Sequence, residues 1–251
     1  MILISKQYSI GEKNRMLKIK NLTKTYKGGK RAVDDLSLTV SAGDIFGFIG
    51  HNGAGKTTTL KCVAGILDFD GGDIFVDGKS VKNFPVECKS QLAYIPDNPD
   101  LYDYLTGVQY LNFIADVYGV EKSVREERIK NYADGFELTP WLGDLISAYS
   151  HGMKQKLALI SALIHKPKLL ILDEPFVGLD PKASLKLKEL MKERCKEGGA
   201  IFFSTHVLEV AEKLCNKVAI IKDGKLVITG DTDKLTKSNS LEDLFMEVVD
   251  D

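Results

Sequence analysis

The sequence has no excess of charge of either sign, since its 251 residues include 34 lysines and arginines and 35 aspartates and glutamates. A protein that binds nucleic acid usually carries a basic excess on one face or tail. The balanced charge therefore argues against a nucleic-acid partner. The hydrophobic share of 44% and the charged share of 27% are typical of an ordinary soluble globular protein.

Long hydrophobic runs are also lacking. The longest run, Leu157 to Ile164, has eight members, one of which is a serine. A helix that crosses a bilayer needs roughly 18 or more apolar residues. If a membrane is involved, we expect another chain to supply the spans.

Cysteines are few and scattered. The four of them, Cys62, Cys88, Cys195 and Cys215, include no Cys-x-x-Cys pair, so neither a disulfide framework nor a zinc site is expected. Small buried side chains in a reducing compartment are the simpler interpretation.

The apolar pattern predicts an α/β fold. Short apolar strands alternate with helices, which favours a largely parallel sheet, while early alternating strands and a turn signal at Asp223-Gly224 predict an antiparallel part beside it. Helical spacing with several aromatic residues predicts a helical insert over about residues 97–155. The predicted strands are Leu17–Leu22, Leu36–Val40, Asp44–Ile49, Ile74–Asp77, Leu169–Leu172, Ile201–Phe203, Val218–Ile221 and Leu226–Ile228, and the predicted helices are Lys56–Leu67, Met153–Ile164 and a third from Pro181 to Gly198.

The two ends of the chain differ from its middle. The only apolar run near the start, Met1–Ile4, is too short for a signal-peptide core, and we predict that residues 1–15 form a disordered extension. Residues 16–230 are predicted to form the main domain, and residues 231–251 a helical tail.

A glycine-rich loop follows the apolar strand Asp44–Ile49. Its residues, Gly50, His51, Asn52, Gly53, Ala54, Gly55, Lys56 and Thr57, match G-x-x-x-x-G-K-[ST] between a strand and a helix. Glycines let successive backbone N–H groups turn toward phosphate oxygens, and the following helix adds its dipole. We expect this loop, with Thr58, to bind a nucleotide, with Lys56 at the outer phosphates and the Thr57 hydroxyl at Mg²⁺.

Two carboxylates follow a later apolar strand. Asp173 ends the strand Leu169–Leu172, where it would lie beside the phosphate loop and could hold Mg²⁺ directly or through water. Glu174 comes next and could polarise the water that attacks the γ-phosphate. GTPases, kinases and recombinases all remain possible at this point.

The segment Tyr149-Ser150-His151-Gly152-Met153 narrows the choice. It opens a helix after the helical insert, and it resembles the signature of the ATP-binding cassette family, usually leucine-serine-glycine-glycine-glutamine. Ser150 and Gly152 match that signature, whereas the other three residues depart from it. The resemblance extends over about residues 16–230 and implies a phosphate-loop NTPase core with a mostly parallel sheet, an antiparallel β subdomain and an inserted helical subdomain.

The resemblance also implies roles for other residues. The segment from Gly178 to Pro181 looks like the loop that crosses the dimer interface, and His206 like the switch histidine that contacts the γ-phosphate. Tyr26 looks like the aromatic residue that stacks on adenine. Asp97 stands where the family often has a glutamine that senses Mg²⁺ and the attacking water. Because aspartate is shorter and charged, it could approach Mg²⁺ but reaches less far.

The family resemblance implies partners as well. ATP would lie between the phosphate loop of one subunit and the Ser150/Gly152 turn of a second, identical or different, in a head-to-tail dimer. Separate membrane permease subunits would dock on the helical insert from the cytoplasmic face. The segments Ile95–Tyr102 and Leu241–Met246 resemble bacterial exporter-type cassettes. The alternative is a soluble cassette ATPase that acts on ribosomes or DNA, although such chains usually carry two cassettes or long coiled-coil insertions.

Overall fold

The computed structural model describes residues 14–238 and 240–250. Residues 1–13 of the predicted extension lie outside the described part, and the first strand already includes Arg15. The strands are β1 Arg15–Thr25, β2 Arg31–Ser41, β3 Ile45–Ile49, β4 Gly71–Val76, β5 Lys79–Ser80, β6 Leu92–Ile95, β7 Leu169–Asp173, β8 Ala200–Thr205, β9 Lys217–Lys222 and β10 Lys225–Asp231. The helices are α1 Lys56–Val63, α2 Pro85–Lys89, α3 Gly107–Val117, α4 Lys122–Gly135, α5 His151–Ile164, α6 Pro181–Lys196, α7 Leu208–Leu214, α8 Thr232–Leu235 and α9 Leu241–Asp250.

The central sheet has six strands in the order β10-β9-β3-β8-β7-β6. All neighbours from β9 to β6 are parallel, and only β10 is antiparallel, at the edge. The turn before β10 places Asp223 and Gly224 at φ values of 49° and 79°, the left-handed pair that a two-residue hairpin requires. The hairpin predicted from Asp223-Gly224 is therefore confirmed.

A second sheet, of order β2-β1-β4-β5, is antiparallel throughout. It shares an apolar cluster with one face of the central sheet. The early alternating strands predict an antiparallel part beside the parallel sheet. Together the two sheets confirm the predicted α/β core with an antiparallel β subdomain.

The two-residue period of β3 divides the core. Phe46 and Phe48 belong to the apolar cluster between the sheets, where both rings contact Phe202. Ile45 and Ile49 point the other way, into the cluster that is covered by α3 to α7. Because both faces are buried, β3 is apolar along its whole length, which is typical of a central parallel strand.

The helical insert is present as predicted. Helices α3 and α4 pack on α5, and two single 3₁₀ turns, Thr139–Trp141 and Ile146–Ala148, lead into α5. Thr106 begins α3 with a capping box, since its hydroxyl accepts from the Gln109 N–H while the Gln109 side chain accepts from the Thr106 N–H.

Helix α1 is shorter than the sequence predicts. The predicted helix runs to Leu67, but α1 ends at Val63, and Gly65 takes a left-handed φ of 64°. Its N–H bonds to the Cys62 carbonyl in a tight turn, so the glycine terminates the helix. The prediction missed this because Ile66 and Leu67 continue the apolar pattern beyond the glycine.

Helices α5 and α6 begin at side-chain caps. Ser150 caps α5 by accepting from the Met153 N–H. The helix begins at His151, two residues before the predicted start at Met153. Asp180 accepts from the Ala183 N–H at the start of α6, with Pro181 as the first helical residue, as predicted.

All four cysteines are free thiols, and Cys62, Cys88 and Cys215 are buried. Among the described residues, no helix has both the length and the apolar character needed to cross a bilayer.

Candidate nucleotide-binding site

The carboxyl ends of four parallel strands meet at one edge of the central sheet. The phosphate loop follows β3, Asp97 follows β6, Asp173 ends β7 and His206 follows β8. In open parallel sheets, ligands bind outside this edge. The topology therefore gathers residues that are up to 156 positions apart in the sequence.

The phosphate loop is tightly folded against its surroundings. Gly53 and Gly55 have φ values of 85° and 109°, which L side chains rarely adopt. A Cβ atom at Gly55 would lie 2.3 Å from the Ala32 carbonyl oxygen, and one at Gly50 would lie 2.6 Å from that of Ile221. The glycines are thus required both for the turn and for the close approach of neighbouring backbone.

Lys56 is buried in the centre of the loop. Its Nζ donates to the carbonyl oxygens of Gly50 at 2.6 Å and His51 at 3.3 Å, and it lies 3.6 Å from Glu174 Oε1. Burial lowers the pKa of Lys56, and the charge of Glu174 opposes that shift. The ammonium group is therefore held under the loop, beside a carboxylate, and is available for an anion that enters the cavity.

Asp173 is almost completely buried, with 1% of its surface exposed. The Ser204 hydroxyl donates a hydrogen bond to its carboxylate. Burial raises the pKa of Asp173, and the hydroxyl groups of Ser204 and Thr57 act against that rise. Its Oδ2 atom is buried and accepts no hydrogen bond within the described residues, so the carboxylate has a free position for a cation.

Glu174 adopts a left-handed backbone, with φ of 47°. Such a conformation is uncommon for a residue with a side chain and tends to occur at functional sites. The Glu174 N–H donates to the Ser204 hydroxyl at 3.0 Å, and its Oε2 lies 3.0 Å from His206 Nδ1. The backbone is thus turned so that the Glu174 side chain lies between Lys56 and His206.

These groups surround a single open cavity. The residues that line it are Tyr26, Lys30, Ala32, His51, Asn52, Gly53, Gly55, Lys56, Thr57, Thr58, Asp97, Asp173 and Glu174. Most of the residues predicted from the sequence are among them. Gly50 and Ala54 form the base of the loop, and His206 reaches the cavity through Glu174.

Tyr26 stands at the mouth of the cavity with 41% of its surface exposed. Its hydroxyl lies 3.1 Å from the Thr58 hydroxyl, which fixes the ring beside the start of α1. An exposed ring in this position is free to stack on a base.

Asp97 also lines the cavity, and its charge contributes to the raised pKa of Asp173. Its Oδ1 accepts from the Asn98 N–H at 2.8 Å. The side chain is exposed and is partly occupied with its own loop.

Ser150 and Gly152 do not line the cavity. Ser150 is exposed, and a Cβ atom at Gly152 would lie 2.8 Å from the Gly178 carbonyl oxygen. Lys156 of α5 also pairs with Asp180 at 2.6 Å. The turn that opens α5 is therefore packed on the Gly178–Pro181 loop and is not part of the cavity wall.

Ser204 was not predicted as a site residue, yet its hydroxyl donates to the Asp173 carboxylate and accepts from the backbone N–H of Glu174. The available signal was a serine directly after the apolar run Ala200–Phe203 of a buried strand, since a buried hydroxyl needs partners. Lys30 and Ala32 of the cavity wall were also missed, because no motif includes them.

Family comparisons agree with this geometry. The model of the ABC transporter family matches residues 33–177, more than half of the chain, and an AAA domain model matches residues 144–212. The chain is 36% identical over 238 residues to the ABC-type transporter ATP-binding protein EcsA of Bacillus subtilis (strain 168), covering 93% of this chain and 96% of EcsA. It is 38% identical over 213 residues to the uncharacterized ABC transporter ATP-binding protein YhcH of the same strain, covering 84% of this chain and 68% of YhcH.

A solved structure of an ATP-binding subunit of an ABC transporter superposes with a TM-score of 0.89. It is 34% identical to this chain, and the match covers 93% of this chain and 99% of that one. The likeness therefore includes both sheets and the helical insert.

Proposed function

Since the chain belongs to the ATP-binding cassette family, as the nucleotide-binding and ATP-hydrolysing subunit of a transporter, we propose that it binds MgATP in the cavity at the carboxyl edge of its central sheet. Hydrolysis takes place there after a second subunit closes over the nucleotide. The observation that carries the proposal is the arrangement of buried Lys56 and Asp173 and partly buried Glu174 around one cavity at the glycine loop.

The phosphate groups are bound by the loop from Gly50 to Thr58. Its backbone N–H groups and the N-terminus of α1 supply positive potential, and Lys56, which is buried, supplies a full charge. Tyr26 stacks on the base at the open end of the cavity.

The same residues fit a magnesium ion. Asp173 has a buried, unpartnered oxygen, and Thr57 brings a hydroxyl to the same carboxylate. Among the described residues no group of three histidine, cysteine, aspartate or glutamate side chains could hold a metal ion alone, which suits a cation that keeps waters and phosphate oxygens. When bound, Mg²⁺ would neutralise charge on the phosphates.

Glu174 is the proposed general base. Its carboxylate is 14% exposed, lies beside Lys56 and pairs with His206, so its orientation is set before the nucleotide arrives. It is placed to accept a proton from the attacking water. His206 holds the carboxylate and reaches toward the γ-phosphate.

The second subunit contributes the Ser150/Gly152 turn. In its own chain Ser150 is exposed and neither residue lines the cavity, while the helix N-terminus at this turn is suited to an anion. A head-to-tail dimer, of identical or different subunits, would bring it to the γ-phosphate of the neighbouring site. ATP binding then favours the closed dimer, and hydrolysis favours opening.

The work of closure is passed to membrane permease subunits, with this chain attached at the cytoplasmic face. The proposed docking surface is the aromatic cluster of the insert, made up of Tyr102, Tyr104, Tyr110 and Phe113. Tyr104 is 75% exposed, so its ring is not part of the insert's own core. The resemblance of Ile95–Tyr102 and Leu241–Met246 to exporter-type cassettes supports export as the direction of transport.

The substitution Glu174→Gln tests this mechanism. We expect hydrolysis to fall roughly 10²- to 10⁴-fold, the usual contribution of a positioned general base. ATP should still bind, and the variant should accumulate as a dimer that light scattering detects in the presence of MgATP. Glu209→Gln, at an exposed residue that pairs with nearby Lys213, is the matched control. Near wild-type turnover of Glu174→Gln would overturn the assignment of the base.

A further inference from the structure

The C-terminal helix α9 reaches the phosphate loop. The Phe245 ring packs on the His51 ring, with the ring centroids 4.8 Å apart and the planes inclined by 58°. His51 is the second residue of the loop, so the tail touches the nucleotide cavity from outside.

Helix α9 is firmly attached to the rest of the domain. Ser240 and Asp243 form a reciprocal cap at its start, since each side chain accepts from the other's N–H. The Leu241 N–H donates to Glu212 of α7 at 2.9 Å, and Leu241 is completely buried. Four residues later Phe245 is 9% exposed, so one face of α9 is fixed in the core.

The contact on His51 bears on the backbone that holds Lys56. The His51 carbonyl oxygen accepts from Lys56 Nζ at 3.3 Å and from the Ala54 N–H at 3.1 Å. His51 itself is exposed, and among the described residues its ring makes its one aromatic contact with Phe245. Because Phe245 holds the His51 ring in place, it also restricts the movement of the His51 peptide group. That peptide group must keep its orientation when phosphate binds.

Beyond the contact between Phe245 and His51, a second cavity lies between α9 and the phosphate loop. It is lined by the phosphate loop, by the end of β9 with its turn, and by Phe245, and it shares Lys30, His51, Asn52 and Gly53 with the nucleotide cavity. The segment from His51 to Ala54 therefore borders open space on its outer side, and Phe245, which also lines this cavity, contacts the His51 ring. That contact is the place where α9 can limit the movement of the loop.

We propose that Phe245 is a positioning residue for nucleotide binding, which acts through the His51 ring and keeps the phosphate loop in its receptive shape. The inference rests on the proposed function of the loop. It assigns to the tail a role in nucleotide affinity, in addition to its packing on the domain.

The test is the affinity of the full chain for MgADP and the kinetics of ATP hydrolysis. Phe245→Ala should weaken MgADP binding and raise the KM for ATP roughly 3- to 10-fold, which corresponds to the usual strength of an aromatic pair. The kcat should change less than 2-fold, because the carboxylates are untouched. Phe245→Tyr, which keeps the ring, should retain wild-type affinity, and so should the matched control Met246→Ala at an exposed position of the same helix.

The double variant shows whether the effect passes through His51. In the His51→Ala background, Phe245→Ala should cause no further loss of affinity. An equal loss in both backgrounds, or unchanged affinity in Phe245→Ala, would overturn the inference. If Phe245→Ala does not fold, Phe245→Leu keeps the apolar volume without the ring and should show the same loss.

The Lys56→Ala variant separates this inference from the proposed function. If Lys56→Ala loses nucleotide and Phe245→Ala does not, the loop function stands and the role of the tail fails. If the wild-type chain binds no MgADP, the proposed function fails and the inference falls with it.

Discussion

The nucleotide cavity and the turn from Tyr149 to Met153 are built in opposite ways. In the cavity, Lys56 and Asp173 are 6% and 1% exposed, and both are held by hydrogen bonds from within the chain. In the turn, Ser150 is exposed, and its hydroxyl caps its own helix. The first region is organised by folding, whereas the second presents its functional groups outward.

The difference indicates a site divided between two subunits. Buried charges with fixed partners can stabilise a transition state without rearrangement, so the cavity is ready for phosphate in the single chain. An exposed helix N-terminus contributes little to an anion in water, because solvent screens it. It becomes effective when a second subunit excludes that water.

The largest loss of nucleotide affinity is expected from a substitution in the cavity. Lys56→Ala removes charge-assisted hydrogen bonds to the phosphates, and nucleotide affinity should fall about 10- to 100-fold, from a loss of roughly 1.5–3 kcal/mol. Titration calorimetry with MgADP measures it. Lys213→Ala, at a lysine that is 75% exposed, is the control. Unchanged affinity in Lys56→Ala would mean that the loop is not the phosphate site.

A smaller effect, on turnover alone, is expected at the turn. Ser150→Ala removes one hydroxyl donor from the γ-phosphate, so hydrolysis should fall roughly 10-fold, from a loss of about 1–1.5 kcal/mol. The affinity of the single subunit for MgADP should stay unchanged, since Ser150 does not line its cavity. A matching loss of affinity would place Ser150 in its own subunit's site and remove the contrast between the two regions.

Mixing the two variants gives a sharper outcome. In a dimer of Lys56→Ala and Ser150→Ala subunits, one site has both defects and the other has neither. Hydrolysis by the mixture should therefore exceed that of either variant alone. If mixing restores nothing, the site is not shared.

The two regions also differ in how far the sequence predicts them. The loop from Gly50 to Thr57 is contiguous, and its chemistry follows from residue types at fixed spacing, so its position between β3 and α1 was predictable. Ser204 was not, because its value depends on the parallel register that sets β8 beside β7 and brings its hydroxyl to Asp173. The Phe245–His51 contact joins residues 194 positions apart, and it depends on the packing of α9 on α7 and β9.

At the turn, the sequence predicts local structure better than role. The serine-capped start of α5 follows from local hydrogen bonding. Its separation from the cavity follows from the way the insert carries α5 onto the Gly178–Pro181 loop, where Gly152 and Gly178 approach too closely for side chains. No spacing rule indicates that contact.

Asp97 combines features of both regions, because it lines the cavity but is exposed. We expect its substitution to change the Mg²⁺ requirement of hydrolysis several-fold. An exposed charge about 4 Å from a cation is worth about 1 kcal/mol, or roughly 5-fold. Asp97→Asn should therefore raise the Mg²⁺ concentration for half-maximal hydrolysis about 5-fold. Asp100→Asn, at an exposed residue of the same loop, is the control, and an unchanged Mg²⁺ requirement would exclude Asp97 from the cation site.

The smallest effect on the isolated subunit is expected at Tyr104. Because the side chain is 75% exposed, Tyr104→Ser should change stability by less than about 0.5 kcal/mol and should leave the hydrolysis of ATP in solution unchanged. Co-purification with a membrane partner from detergent should nevertheless fall, since an exposed aromatic ring contributes strongly to an interface. Val227→Ser, at another exposed apolar residue, should not weaken that association. Equal recovery of the partner with Tyr104→Ser and with Val227→Ser would show that the aromatic cluster is not the docking surface. The outward-facing groups of the insert would then act only in contact with the second ATPase subunit.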